Sequence, residues 1–107
     1  MILVGYFLAR CGSGNDHTEP PSVLGTSSWQ DVYPIFYGIL GGGRTPVAFR
    51  NSLKNTRDAF DFHVDNGRKG WDKPLIRTEQ AIFDKWRSRS CAELWAQVRL
   101  YLPPMHG

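Results

Sequence analysis

The sequence predicts a small, mainly α, single-domain bundle of three to four helices, with a short apolar segment at the N-terminus. The 107 residues are 41% hydrophobic and 13% aromatic, which suits one domain able to bury its own core. From residue 29 onward, apolar residues recur at steps of three and four. Capping residues and Gly or Pro breaks delimit those runs. We therefore treat residues 1–107 as one globular domain.

The first segment, residues 2–9, is an apolar run rich in β-branched and aromatic residues. A strand is expected there, and a buried helical turn is the alternative, because periodicity does not separate the two in a short apolar run. Residues 12–28 mix Gly, Ser, Asn, Asp, Thr and Pro, so they are predicted to form a loop whose front part is mobile.

The same N-terminal segment superficially resembles a lipoprotein signal, because Leu8 and Ala9 precede Cys11. No positive charge precedes the apolar run, however, and Arg10 occupies the position where cleavage requires a small residue. No stretch has the roughly 20 apolar residues that cross a bilayer. Cys11 and Cys91 lie far apart without a pair spacing, so both are expected to be reduced. These features predict a soluble, cytoplasmic protein.

A helix over 29–40 is expected to be buried around much of its circumference. Its N-cap is either Ser28, in which case Pro34 bends the helix, or Asp31, in which case Pro34 falls harmlessly in the first turn. The run Gly41-Gly42-Gly43 ends the helix. Because the next helix follows at once, we expect an antiparallel helix pair.

The next helix, over 46–64, has the clearest N-terminal capping signal, apolar face and C-terminal stop signal in the chain. Thr45 is a good N-cap and Pro46 suits the first helical position. Asn66-Gly67 tolerates the left-handed conformation at which helices stop. The face expected to be buried consists of Val47 or Phe49, then Leu53, Thr56, Phe60 and Val64.

Two shorter helices are predicted in the remaining chain. Thr78 is expected to cap a helix that runs through Trp86. Ser90 and Glu93 form a capping-box pattern that opens a final helix, which Pro103-Pro104 ends. The apolar face of this final helix consists of Leu94, Trp95, Val98 and Tyr101 or Leu102.

Charge is distributed unevenly along the chain, whose formal net charge is +3. Residues 44–73 hold seven cations against four acids, and the segment before them is net acidic. Cations and amides recur on the outer face of helix 46–64, and a basic loop with one aromatic residue follows that helix. Lys and Arg neutralise phosphates, Arg and Asn pair with base edges, and Trp stacks on unpaired bases. The candidate nucleic-acid-binding residues are Arg44, Arg50, Asn51, Lys54, Asn55, Arg57, Arg68, Lys69 and Trp71.

The sequence gives little support to nucleotide binding, metal binding or catalysis by cysteine. The segment 38–45 follows a phosphate-binding loop pattern with arginine in place of lysine, but it follows a predicted helix rather than a strand, so a plain helix-to-helix turn is favoured. His63 with Asp65 lacks a third metal ligand in a structured segment. Cys91 at a helix start is interpreted as a packing residue. We expect no metal and no cofactor.

The sequence thus favours a non-catalytic nucleic-acid-binding module, with DNA preferred to RNA and a protein partner as a further option. The solvated outer face of a helix is the plainer interpretation of the same charges, with Asp58 and Asp61 pairing Lys54 and Arg57. The alternative function is a protein-interaction or structural module. Its interface would be formed by aromatic residues among Trp29, Tyr33, Trp71 and Trp86.

Overall fold

The computed structural model describes residues 1–13, 18–64, 70 and 72–102. These residues form a small helical domain, which confirms the mainly α prediction. They contain five α-helices, at least one more than predicted, and two short 3-10 helices at Ser22–Leu24 and Arg99–Tyr101. The α-helices are α1 (Ile2–Arg10), α2 (Trp29–Leu40), α3 (Pro46–Asp61), α4 (Arg77–Trp86) and α5 (Cys91–Val98).

The N-terminal apolar segment is the central helix of the bundle, so the expectation of a strand is wrong. Helix α1 packs against α3, α4 and α5. Every residue from 4 to 9 is buried. A helix covered on several sides needs apolar residues around its circumference, and this removes the amphipathic period that identifies a helix in a sequence. The alternative, a buried helical segment, is confirmed.

Helices α1 and α3 approach each other closely at Gly5. A Cβ atom on Gly5 would lie 2.4 Å from Cγ2 of Thr56, which is closer than packed atoms approach. Tyr6 of α1 also contacts Phe60 of α3 edge-on, with ring centroids 5.2 Å apart. The small residue at position 5 therefore lets the two helices pack at short distance.

Helices α2 and α3 form the predicted antiparallel pair. Tyr37, near the end of α2, contacts Phe49, near the start of α3, with ring centroids 5.5 Å apart. Tyr33, earlier in α2, accepts a hydrogen bond from Arg57, later in α3. The glycine run between the helices makes the turn, and Gly42 has a positive φ of 58°. Residues 38–40 belong to α2, so the expected helix-to-helix turn is confirmed.

The start of α3 is as predicted, and its end is three residues earlier. Thr45 accepts a hydrogen bond from the amide of Ala48, and Pro46 is the first helical residue. The helix ends at Asp61 rather than at residue 64. Gly70, with φ +63°, lies against the C-terminal end of α3. A Cβ atom on Gly70 would lie only 2.5 Å from the backbone nitrogen of Phe62. The chain thus returns across the end of α3 at a position that only glycine fits.

Helix α2 begins at Trp29 with Ser28 as its N-cap residue, so Pro34 lies inside the helix. Helix α4 begins at Arg77, and the predicted cap Thr78 is a helical residue instead. The capping box of α5 is confirmed, since Ser90 and Glu93 exchange side-chain-to-backbone hydrogen bonds. The Ser90 amide lowers the pKa of the Glu93 carboxyl.

A disulfide joins Cys11 to Cys91, so the expectation of two reduced cysteines is wrong. The bond links the residue after α1 to the first residue of α5, with the two Cα atoms 5.9 Å apart. Arg10 reinforces this junction by donating to the backbone carbonyls of Trp86 and Arg89. The two cysteines are 80 positions apart, and only the packing of α5 against α1 brings them together.

The pairing of the cysteines removes the basis on which a cytoplasmic location was expected, since disulfides persist mainly in oxidising compartments. Among the described residues, no helix has both the length and the hydropathy needed to span a membrane.

Candidate nucleic-acid interface

The outer side of α3 and the turn before it present a surface of cations and amides that we call the α3 basic face. All of its side chains are exposed. The positive end of the α3 dipole lies at the end of this face that carries Arg44. A polyanion would therefore meet both side-chain charge and helix-terminus charge here. The α3 basic face consists of Arg44, Arg50, Asn51, Lys54 and Asn55.

Arg57 does not belong to this face, although its spacing suggests that it should. It is only 8% exposed. Its guanidinium lies 4.2 Å from the ring centroid of Trp29 and donates to the hydroxyl of Tyr33 at 2.9 Å. The difference arises because the start of α2 covers this side of α3. Arg57 holds the helix pair together and is not available to an external ligand.

The two acids expected to neutralise the α3 basic face both turn toward Arg57. Asp58 Oδ1 lies 3.3 Å from Arg57 Nη2, and Asp61 Oδ2 lies 3.8 Å from Arg57 Nε. Within the described part of the chain, neither Arg50 nor Lys54 makes an ion pair. The expected pairing of Arg57 with Asp61 is made and that of Lys54 with Asp58 is not, so Arg50 and Lys54 have no ion-pair partner among the described residues.

An apolar groove of about 300 Å³ lies between α2 and α3, beside the basic face. We call it the α2–α3 groove. Arg50 belongs to both features, so the groove opens directly onto the cations. The groove is lined by Gln30, Tyr33, Pro34, Tyr37, Pro46, Val47, Phe49 and Arg50.

Val47 is the lining residue that is least expected from the sequence. Either Val47 or Phe49 could begin the buried stripe, and the structure buries Phe49 and leaves Val47 57% exposed. Val47 lies at the mouth of the groove, between Arg44 and Arg50 in the chain. An apolar side chain among cations could have been noticed in the sequence, but its place in a groove depends on how α2 packs.

The remaining candidate residues are distributed as follows. Arg68, Lys69 and Trp71 lie outside the described residues. Of the aromatic residues that define the alternative interface, Tyr33 is buried, and the indole of Trp29 donates to the carbonyl of Thr18.

These features define the class of the protein as a small helical domain with a basic helix face next to an apolar groove. Comparison of the chain with protein-family models, with curated proteins and with solved structures gives no significant match. The interpretation of this surface therefore depends on its own chemistry.

Proposed function

We propose that this chain is a non-catalytic nucleic-acid-binding module, with DNA as its preferred ligand. The observation that carries the proposal is the pairing of both α3 acids with Arg57, which leaves Arg50 and Lys54 exposed and without an ion-pair partner in the described part of the chain. Exposed cations without partners bind phosphates by releasing the counterions around the nucleic acid.

The residues of the α3 basic face have complementary roles in this proposal. Arg44, Arg50 and Lys54 contact phosphates, while Asn51 and Asn55 reach base edges. Arg50 and Lys54 are four residues apart, so they project from one side of the helix. The basic loop residues Arg68, Lys69 and Trp71 would extend the contact, with the indole stacking on a base.

The test is a fluorescence-anisotropy titration of the protein against labelled single-stranded and duplex DNA and RNA at several salt concentrations. We expect affinities in the micromolar range that weaken as salt rises. The double variant Arg50→Ala/Lys54→Ala should bind duplex DNA more weakly. Its slope of log affinity against log salt should be shallower by about 1.8, corresponding to two lost phosphate contacts.

A matched control removes two exposed cations from α4, in the variant Arg77→Ala/Lys85→Ala. It changes the net charge equally and should leave the salt slope unchanged. If no nucleic acid binds at low salt, or if both double variants lose the same slope, the proposed function is refuted.

A further inference from the structure

The α2–α3 groove adds a feature that phosphate binding alone does not require. A purely electrostatic surface needs only cations, yet Val47 stands 57% exposed at the groove mouth on the same helix. Exposed apolar surface that adjoins charge is typical of a site that takes a ligand with one apolar part and one charged part.

Tyr37 provides a fixed aromatic surface in this groove. Its hydroxyl donates to the backbone carbonyl of Arg44, and its ring packs edge-on against Phe49 at 5.5 Å. The hydrogen bond and the ring contact together restrict the movement of the Tyr37 side chain. A ring that is already fixed loses little conformational entropy when a ligand stacks on it.

The lining of the groove includes polar residues that suit a base edge. Gln30 and Arg50 line it together with the apolar residues. Pro34 lies within α2 and has no N–H, so the carbonyl of Gln30 lacks its usual helical donor from that position. The side-chain amide of Gln30 and the guanidinium of Arg50 are chemically able to supply donors and an acceptor beside the rings.

We infer that the α2–α3 groove receives one unpaired base of a single-stranded nucleic acid while the flanking phosphates lie along the α3 basic face. The base stacks in the groove near Tyr37, and Arg50 binds the adjacent phosphate. A groove of about 300 Å³ has room for one base, whereas a helical peptide needs a longer groove for anchors one and two turns apart. This inference rests on the proposed function and adds that the module prefers single strands to duplexes.

The experiment compares a labelled oligothymidylate with a duplex of matched length by anisotropy. The variant Val47→Ser removes the apolar mouth of the groove without changing charge. We expect it to weaken single-strand binding about fivefold, with an unchanged salt slope and unchanged duplex binding. The control Ile39→Ser alters an aliphatic residue of α2 that is 47% exposed and does not line the groove, and it should bind like wild type.

Photocrosslinking gives a second, direct readout. An oligonucleotide that contains iodouracil should crosslink to Tyr37 or to another lining residue, as identified by mass spectrometry. Crosslinks that all lie outside the groove, together with wild-type affinity in the Val47→Ser variant, would overturn the inference.

The outcomes separate the two proposals. Equal, salt-sensitive binding of duplex and single strand refutes the groove but retains the basic face as a binding surface. No binding of either refutes both. If no oligonucleotide binds while self-association, or binding of an acidic peptide with an apolar anchor, depends on Val47, the groove belongs to a protein partner instead.

Discussion

Loss of the Cys11–Cys91 disulfide is expected to destabilise this fold strongly. The bond has a sequence separation of 80 residues. In the chain-entropy model, a cross-link that closes a loop of this length removes unfolded-state entropy equivalent to about 4.5 kcal/mol at room temperature. Domains of this size have unfolding free energies of about 5 to 15 kcal/mol. The disulfide therefore supplies a large part of the net stability.

Urea unfolding followed by tryptophan fluorescence measures this effect. The variant Cys11→Ser/Cys91→Ser should unfold at a urea concentration lower than wild type by about 1.5 to 4.5 M, given the usual dependence of stability on urea. A reductant should lower the wild-type midpoint to that of the variant. The same reductant should leave the variant unchanged, which controls for effects of the reagent itself.

Two results would contradict this prediction, one concerning the presence of the bond and the other its contribution to stability. Titration of two reactive thiols in the protein purified without reductant would show that the bond is absent. If titration finds no thiols and yet reduction leaves the midpoint unchanged, the bond exists but the loop-entropy argument fails.

Two further predictions concern the packing of α3. Gly5→Ala should destabilise the domain by about 1 to 3 kcal/mol, because the added methyl meets Thr56, whereas Gly43→Ala, which meets nothing within 4 Å, should have little effect in the same urea assay. Arg57→Ala should cost about 3 to 5 kcal/mol, because it removes the cation that pairs with the buried Asp61 carboxylate and with Asp58. By contrast, Arg50→Ala should change the free energy of unfolding by less than about 0.5 kcal/mol, because Arg50 is exposed. Equal losses of stability in the two variants would contradict the burial of Arg57.

The elements that could be predicted from the sequence are those set by local chemistry. The Thr45 cap, the capping box that begins at Ser90 and the glycine turn before α3 each depend on neighbouring residues. The structure confirms all three. Helix α1 could not be identified in this way, because burial on several sides removes its period, and the cysteine pairing depends on how α5 packs against α1.

The candidate site was predictable to a similar extent. Periodicity places Arg50, Asn51, Lys54 and Asn55 on one side of α3, and all four are exposed. The same periodicity includes Arg57, which is buried because α2 covers it. The α2–α3 groove could not be predicted from the sequence, because it is formed by the packing of two helices.

The position of α1 at the centre of the bundle has a consequence for synthesis of the protein. Within this chain α1 is made before α3, α4 and α5, the helices that cover it. The part of α1 that α4 and α5 cover therefore stays exposed until translation has passed residue 98, and Cys11 has no partner for its disulfide until residue 91 has been made. Exposed apolar surface of this kind promotes aggregation of a nascent chain, and the disulfide can close only after about five-sixths of the chain has been made.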